Sequence, residues 1–319
     1  MRVLIAGASG ALGVPLTRQL TAAGHEVIGL SRTPGNRERL RALGAEPLIA
    51  DVMDRRALLA TVDGLEADAV VHVLTALKKP PMRHRDMVAT NALREEGTAN
   101  LLAVAQVVGA RRFLVESMIF GYGYGDWDDK VLTEEAPPFG PPGRSGWFER
   151  HLRAMRSAES QTFAADGIEG IALRYGLLYG PGAGAEDWVN MLRRRRLPVL
   201  RNGGGPLSWI YIQDAVTATA AALERGRPDQ AYNVVDDQPA AWREVIEEMA
   251  STFGAPSPLA LPRWALRFAP YARTMMTSTM CVSNAKAKRE LGWAPSQPTY
   301  RQGIEKLAES LRDEPPVAA

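Results

Sequence analysis

The chain has 319 residues, of which 46% are hydrophobic and 23% charged, and its formal net charge is +2. This composition is typical of a globular α/β protein, and it gives no argument for binding to nucleic acid or to a membrane surface. One cysteine cannot form an intrachain disulfide, and the four histidines lack metal-ligand spacing, so we expect no metal site. No apolar run approaches the ~20 residues that span a bilayer. Because the sequence starts directly in a predicted strand, we expect a cytoplasmic protein.

The first thirteen residues predict a phosphate-binding corner. An apolar run at 3–6 is followed at once by a glycine-rich turn and then by a helix-like pattern. In such a corner the glycines permit the turn, the approach of backbone N–H groups to a pyrophosphate, and close packing of helix on strand. A turn that merely joins a strand to a helix is the alternative. The residues expected to contact a nucleotide cofactor are Gly7, Ala8, Ser9, Gly10, Ala11, Leu12 and Gly13.

The end of the second predicted strand favours NADP(H) over NAD(H). Residues 26–30 predict this strand, and Ser31 and Arg32 follow where the adenosine ribose of a dinucleotide would lie. An acidic residue there would bind the 2′-hydroxyl of NAD, whereas Ser and Arg suit a 2′-phosphate. A solvated loop arginine is the alternative interpretation of Arg32.

Strands and helices alternate through residues 1–180, which predicts a doubly wound parallel sheet of the Rossmann type. Further strands are predicted at 46–50, 69–74, 112–115 and 169–174, with helices at 91–108 and 147–166. Ligands bind beyond the C-terminal ends of such strands. The residues expected along that rim are Gly7, Arg32, Asp51, Thr75, Ser117 and Tyr175.

Beyond residue 180 the pattern changes, and a smaller lobe is predicted. We expect residues 1–180 to form the dinucleotide-binding domain, with 206–236 returning to it. Residues 181–205 and 237–312 should form a mostly helical substrate lobe, and 313–319 a disordered tail. The Gly- and Pro-rich stretch 121–145 predicts a long loop over the ligand rim.

Several motifs occur in a characteristic order. They are the glycine turn, Asp51-Val52, Asn91 with Gly97-Thr98-Ala99-Asn100, Tyr179-Gly180-Pro181-Gly182, and Tyr232-Asn233-Val234. By these motifs the chain resembles, over nearly its full length, the extended short-chain dehydrogenase/reductase superfamily of NAD(P)-dependent epimerases and dehydratases. The resemblance implies an NAD(P) cofactor and a homodimer formed through the helices that start near Asn91 and Trp147.

The resemblance also implies further cofactor contacts. Asp51 and Val52 would flank the adenine, and Thr75 would border the nicotinamide ribose. Tyr175 and its two neighbours would lie close to the nicotinamide. The contacts added in this way are Asp51, Val52, Leu74, Thr75, Asn91, Tyr175, Gly176 and Leu177.

The catalytic pattern departs from that superfamily. Its members usually carry a tyrosine followed four residues later by a lysine, which lowers the tyrosine pKa. No tyrosine of this chain has that lysine. If Glu159 is the superfamily's glutamate, His151 stands at the tyrosine position and Met155 at the lysine position. Candidates for proton delivery are Ser117, His151, Tyr122 and Glu116; a surface histidine and a polar strand end are the alternatives for His151 and Glu116.

The substrate side points away from nucleotide sugars. Leu207 occupies the place where nucleotide-sugar epimerases usually have a diphosphate-binding arginine. An apolar pocket is predicted instead, with core packing as the alternative for each member: Trp147, Trp188, Trp209 and Met276. We therefore expect an atypical NAD(P)-dependent oxidoreductase or epimerase acting on a small, fairly apolar carbonyl or alcohol. A non-redox lyase, isomerase or cyclase and a non-enzymatic NADP(H)-binding redox sensor are the alternatives.

Overall fold

The computed structural model describes residues 1–135, 137–141 and 146–313. Most of the predicted disordered tail, 314–319, lies outside the described residues. The strands are β1 Arg2–Ala6, β2 Glu26–Ser31, β3 Glu46–Ile49, β4 Ala69–His72, β5 Arg112–Met118, β6 Asp126–Leu132, β7 Glu169–Tyr175, β8 Leu177–Tyr179, β9 Val199–Leu200, β10 Pro206–Leu207, β11 Trp209–Tyr211, β12 Gln230–Val234, β13 Ala240–Ala241, β14 Ala260–Leu261 and β15 Thr279–Val282. The helices are α1 Gly13–Ala22, α2 Arg37–Ala42, α3 Arg55–Thr61, α4 Val88–Ala92, α5 Thr98–Val107, α6 Gly146–Phe163, α7 Ala185–Arg193, α8 Ile212–Arg225, α9 Trp242–Thr252, α10 Pro270–Thr277, α11 Ala285–Leu291 and α12 Tyr300–Asp313.

Seven parallel strands form the main sheet, in the order β12-β7-β5-β4-β1-β2-β3. This confirms the predicted Rossmann-type fold. Parallel neighbours need crossover connections, and the helices between the strands supply them. The strand order reverses between β1 and β4, so the ligand crevice is expected beyond the carboxyl ends of these two strands.

Each face of the main sheet carries its own apolar cluster. Val3 and Ile5 of β1 pack on one face with Leu16 of α1, whereas Leu4 packs on the other face with Leu101 of α5. This split follows from the two-residue period of a strand. On β5, Phe113 and Val115 pack on the face that α5 and α6 cover. The same period places Ser117 on that face, toward α6.

A second, four-stranded sheet has the order β13-β10-β15-β6. Residues 126–132, predicted as part of a long loop, form β6 parallel to β15, with Val131 opposite Cys281. That prediction was wrong for β6 because pairing with a distant strand overrides the weak strand propensity of its aspartates. The C-terminal part is mostly helical, as expected, but it also supplies β13 and β15. The predicted domain boundaries stay predictions.

None of the helices in the described residues is long and apolar enough to cross a bilayer.

Candidate cofactor and active site

The glycine turn between β1 and α1 forms a close backbone cradle. Gly7 has φ +100°, and a Cβ there would lie 2.8 Å from the carbonyl oxygen of Val73. A Cβ on Gly13 would overlap the carbonyl oxygen of Gly7. The N–H of Gly10 donates to that same oxygen at 2.9 Å, which closes the turn. The turn therefore fits a dinucleotide, because its bare backbone and the N-terminus of α1 suit a pyrophosphate.

A polar cluster stands at the adenosine end of the crevice. Asn36 Nδ2 donates to the hydroxyl oxygens of Ser31 at 2.8 Å and Ser9 at 3.1 Å. Arg32 is exposed, and its Nη1 lies 4.0 Å from Oδ2 of Asp51. Hydroxyl groups, an amide and a guanidinium are donors that suit the 2′-phosphate of NADP(H). Sequence reasoning missed Asn36, whose only signal is the short turn at Pro34–Asn36 directly after Arg32.

The other predicted contacts after β3 and β4 are held by local hydrogen bonds. The carbonyl oxygen of Val52 accepts from Asn100 Nδ2 at 2.8 Å. The N–H of Leu74 donates to His72 Nδ1 at 3.2 Å. Thr75 Oγ1 lies 3.4 Å from Thr90 Oγ1. These bonds fix the backbone where an adenine and a ribose are expected.

The segment after β7 lies differently from the sequence expectation. The phenol of Tyr175 is fully buried, and its oxygen lies 2.6 Å from Thr219 Oγ1 on α8. A Cβ on Gly176 would lie 2.8 Å from the carbonyl carbon of Trp209, and Leu177 begins β8. The Tyr175 side chain therefore belongs to the core, and the expected closeness of Tyr175, Gly176 and Leu177 to the nicotinamide stays a prediction.

His151 is the centre of a buried polar chain. Asn91 Nδ2 donates to Nδ1 of His151 at 2.9 Å, and Nε2 of His151 lies 3.1 Å from Nδ1 of His84. Because Nδ1 of His151 accepts, we assign its proton to Nε2, which then donates to His84. Sequence analysis included His151 and Asn91 but missed His84, which lies in a basic segment without a motif.

The chain of imidazoles is neutral at its buried end. Burial, with smaller effects of the nearby His84 and Arg94, lowers the pKa of His151 to about 4. The His84 ring lies nearly parallel to Trp147, at 8° and 6.0 Å between centroids, and 5.3 Å from the ring of His151. His84 therefore links the buried imidazole to residues at the protein surface.

Eight buried side-chain polar atoms of the described residues lack a hydrogen-bond partner, and two of them belong to predicted site residues. Ser117 Oγ and Asn91 Oδ1 have no hydrogen bond among the residues that the structure describes. Leaving such an atom unpaired costs about 1–3 kcal/mol. Both residues follow or flank the carboxyl ends of central strands, where a ligand is expected. The unpaired atoms therefore fit a site that receives polar atoms of a bound molecule.

The model of the NAD dependent epimerase/dehydratase family matches residues 3–235. The chain belongs to this family. It is therefore an NAD(P)-binding protein, and its relatives include reductases and dehydratases.

Two relatives and one solved structure illustrate the similarity. The chain is 37% identical to the 3-diazoavenalumate denitrifying reductase of a Streptomyces species, over 95% of this chain and 99% of the relative. It is 25% identical to the 2-alkyl-3-oxoalkanoate reductase of Stenotrophomonas maltophilia, over 97% and 99%. The structure of the human epimerase family protein SDR39U1 with NADPH matches at a TM-score of 0.77 and 21% identity, over 97% of this chain and 99% of that one. This last likeness shows the fold alone.

If Glu159 is the family's glutamate, as the sequence resemblance implies, Met155 would stand at the catalytic lysine position. Met155 is 1% exposed and packs in a cluster with Ile119, Phe120 and Leu152. No cation of α6 therefore stands one turn beyond His151 to lower the pKa of a phenol there.

Tyr122 is occupied by structural contacts. Its hydroxyl donates to Asn233 Oδ1 at 2.8 Å and accepts from Arg174 Nη1 at 2.8 Å. Burial raises the pKa of Tyr122 to about 12, although Arg174 opposes that shift. A phenol with both hydrogen-bonding directions filled is a poor proton donor to a substrate, so these contacts argue against its predicted catalytic role.

Glu116 is also held by a structural contact, an ion pair with Arg94. Its Oε1 lies 3.9 Å from Arg94 Nη2, and the side chains of Arg94 and Glu116 are 8% and 12% exposed. Burial raises the pKa of Glu116, and Arg94 opposes the shift. Arg94 lies in a single π-helical turn, Leu93–Gly97, that interrupts the predicted helix 91–108. The pair therefore ties that turn to the end of β5.

The four predicted substrate residues do not pack in one cluster. Trp188 and Trp209 pack with Trp242 at centroid distances of 5.4 and 5.5 Å, inside the cluster under α7 and α9. Met276 packs with Leu200 and Leu266. Only Trp147 lies beside the His84–His151 chain. Core packing, the alternative that the sequence left open, therefore describes Trp188 and Trp209, and the shared substrate pocket stays a prediction.

Acid pH should destabilise the protein through two buried histidines. Burial lowers the pKa of both His72 and His151 to about 4. The unfolded chain binds these protons at its ordinary pKa of about 6.5, so stability is full above that pH and is lost as the pH falls toward 4. Between pH 7 and 5 we expect each histidine to cost up to about 2 kcal/mol.

Urea unfolding at the two pH values measures this loss. The substitution His151→Phe should remove roughly half of the histidine contribution, because only His72 then titrates in this way. The free energy of unfolding should therefore fall less between pH 7 and pH 5 in the variant than in the wild type. An equal fall in both proteins would contradict the assignment of a low pKa to His151.

Proposed function

We propose that the protein is an NADP(H)-dependent oxidoreductase that transfers a hydride to a small, largely apolar substrate. The observation that carries the proposal is the hydrogen-bonded chain Asn91–His151–His84, together with the unpaired Ser117 Oγ on the sheet face that α6 covers. By the sequence resemblance, His151 would stand at the family's tyrosine position. The bound cofactor would supply the hydride. The cradle at Gly7–Gly13 and the cluster of Ser9, Ser31, Arg32 and Asn36 would hold it.

The residues around His151 would exclude water from the reaction. Rings of Tyr124, Phe148 and Tyr271 lie within 6.1 Å of the His151 or His84 ring, and Tyr124 and Tyr271 are buried. A dry, aromatic site favours hydride transfer over side reactions with water. Ser117 Oγ would hydrogen-bond a polar atom of the substrate.

A carbonyl is one candidate acceptor, as the sequence analysis expects. Its reduction needs a proton on the developing alkoxide oxygen, and efficient donors have a pKa near the working pH. The low pKa of His151 leaves little imidazolium at neutral pH. Proton delivery would then depend on the neutral Nε2–H group of His151, with a replacement proton arriving through His84. Because a neutral imidazole is a weak acid, carbonyl reduction would be slow.

A diazo group is the second candidate, and we favour it. The relative at 37% identity is a denitrifying reductase of a diazo compound. When hydride replaces an aryl diazonium group, a C–H bond forms, the C–N bond breaks and its electron pair leaves on N2. That exchange consumes no proton, so it suits a site that lacks the Tyr/Lys proton donor.

Deuterium transfer tests the proposal and separates the two acceptors. The purified protein is incubated with NADPH deuterated at C4 and, separately, with benzenediazonium and acetophenone. We expect stoichiometric NADPH oxidation, N2 and monodeuterated benzene from the diazonium salt, above a protein-free control. Deuterated alcohol from acetophenone alone would move the assignment to carbonyls. Turnover of neither compound by protein that binds NADPH would overturn the reductase proposal.

Cofactor preference should depend on Arg32. A charge-assisted hydrogen bond contributes about 1.5–3 kcal/mol, so Arg32→Gln should weaken NADPH binding by about 10- to 100-fold and leave NADH binding nearly unchanged. Calorimetric titration of both nucleotides measures this, with Arg56→Gln on α3 as the matched control. Equal losses for NADPH and NADH would show that Arg32 does not contact the 2′-phosphate.

A further inference from the structure

A second concave feature lies on the outer side of His84. It is a cavity of about 300 Å³ that is lined by Arg83, His84, Arg85, Trp147, Phe268 and Pro270. Its volume is at the small end of the range for small-molecule pockets. The His84 ring lines this cavity and is also hydrogen-bonded to His151, so the His84 imidazole separates the cavity from the proposed reaction site.

The mouth of the cavity is positively charged. Arg83 Nε donates to the carbonyl oxygen of Phe268 at 3.4 Å, which leaves its other N–H groups for a ligand, and Arg85 is exposed. A third guanidinium, that of Arg150, lies 4.8 Å from the Trp147 ring.

The nearby acids are already committed. Asp86 Oδ2 accepts from the backbone N–H groups of Met82 at 3.0 Å and Arg83 at 2.8 Å. Glu149 Oε1 accepts from Arg156 Nη2 at 3.0 Å and pairs with that arginine. Asp86 also lies close enough to Arg83 and Arg85 for both guanidinium groups to lower its pKa. One carboxylate therefore offsets part of the charge of Arg83, Arg85 and Arg150, and the remaining positive charge is complementary to an anion.

The walls of the cavity are aromatic. Trp147 and His84 lie nearly parallel at 6.0 Å, and Trp147 is 38% exposed, so part of its indole is accessible beside the Arg150 guanidinium that lies over the ring. Phe268, which lies just before α10, is 68% exposed. Exposed aromatic rings beside arginines suit a planar ring that carries a carboxylate, because the ring stacks and the guanidinium groups pair with the oxygens.

We propose that this cavity binds the carboxylate end of a planar aromatic substrate, with Arg83 and Arg85 pairing the carboxylate and Trp147 stacking on the ring. The inference deepens the proposed function and rests on it, since it assigns the charge and shape of the substrate that the proposed reductase would take. His84 would then separate the anionic end of the substrate from the reacting end.

Binding of trans-cinnamate and of its neutral isostere trans-cinnamamide tests this, by calorimetry on the full chain without NADPH. We expect the carboxylate to bind at least about tenfold more tightly than the amide, and Arg85→Gln to weaken cinnamate binding by a similar factor. Arg83→Gln should act in the same direction, whereas Arg56→Gln, a surface arginine of α3, should change neither ligand. Trp147→Ala should weaken both ligands, because the stacking surface is lost.

Equal affinities for acid and amide would overturn the proposal, as would wild-type affinity for cinnamate in the Arg85 variant or no saturable cinnamate binding. NADPH titration in the same variants separates the two hypotheses. If cinnamate binds as expected and NADPH does not bind, the reductase assignment fails while the anion site stands.

Discussion

Replacing Glu159 with leucine is expected to lower the free energy of unfolding by about 3–5 kcal/mol. Glu159 on α6 pairs with Arg174 on β7 through bonds of 3.0 Å from Nε and 2.7 Å from Nη2, and the two side chains are only 4% and 5% exposed. The substitution leaves the Arg174 guanidinium buried without its counter-charge. The loss is large because desolvation of that cation is no longer compensated.

The geometry around Arg174 explains why it cannot move to solvent. Its guanidinium carbon lies 3.8 Å from the Phe139 ring centroid, and Nη1 donates to Tyr122. The Tyr122 hydroxyl in turn donates to Asn233 on β12. The ion pair thus joins β7, β12 and the segment after β5 to α6, the helix that also carries His151.

Two controls make the result specific to the buried charge. The double substitution Glu159→Leu with Arg174→Met removes both charges and should recover most of the loss. Arg153→Met breaks the Arg153–Glu95 pair on the same helix, where the arginine is 62% exposed, and should cost less than about 1 kcal/mol. Urea unfolding measures all three variants. A double variant no more stable than Glu159→Leu would contradict the charge explanation.

Gly13→Ala is expected to weaken NADPH binding by about 100-fold or more, which corresponds to about 3 kcal/mol. The new Cβ would meet the carbonyl oxygen of Gly7, its carbonyl carbon at 2.7 Å and Cα of Ala8 at 2.8 Å. These are backbone atoms, so relief requires the turn to separate from α1. That movement takes the N–H groups of the turn away from the expected pyrophosphate.

The matched control is Gly203→Ala, where a Cβ has its nearest neighbour at 3.6 Å and the backbone needs no positive φ. It should bind NADPH like the wild type. Nucleotide titration gives the affinities, and circular dichroism with thermal unfolding shows whether Gly13→Ala remains folded. A folded Gly13→Ala protein with wild-type NADPH affinity would show that the turn does not hold the pyrophosphate.

Much of the cofactor site could be predicted because its determinants are local. The spacing of Gly7, Gly10 and Gly13 encodes a turn whose backbone tolerates no side chains, whatever the rest of the chain does. Ser31 ends β2 and Arg32 follows it directly, so the sheet places both residues on the rim. Asn36 was missed because its amide reaches Ser9 and Ser31 only after the turn at Pro34–Asn36 folds back.

The candidate active site was less predictable because its contacts join distant segments. His84 and His151 are 67 positions apart, and no residue pattern of either segment indicates their meeting. The Tyr122 hydroxyl was a candidate acid until its bonds to Arg174 and Asn233, 52 and 111 positions away, were located. The sequence does not show whether Trp188 and Trp209 line a pocket or pack in a core, since hydrophobic residues occur in both environments.

The sequence by itself determined the parallel α/β fold, the glycine cradle and the lack of a Tyr/Lys pair. These follow from short-range periodicity, from the conformational freedom of glycine and from simple residue identity. Only the tertiary structure decided that β6 pairs with β15, that Arg94 holds Glu116, and that His151 is a buried neutral imidazole bonded to His84. Burial and partner choice are properties of the packed chain, because the desolvation that shifts a pKa exists only once distant elements enclose the group.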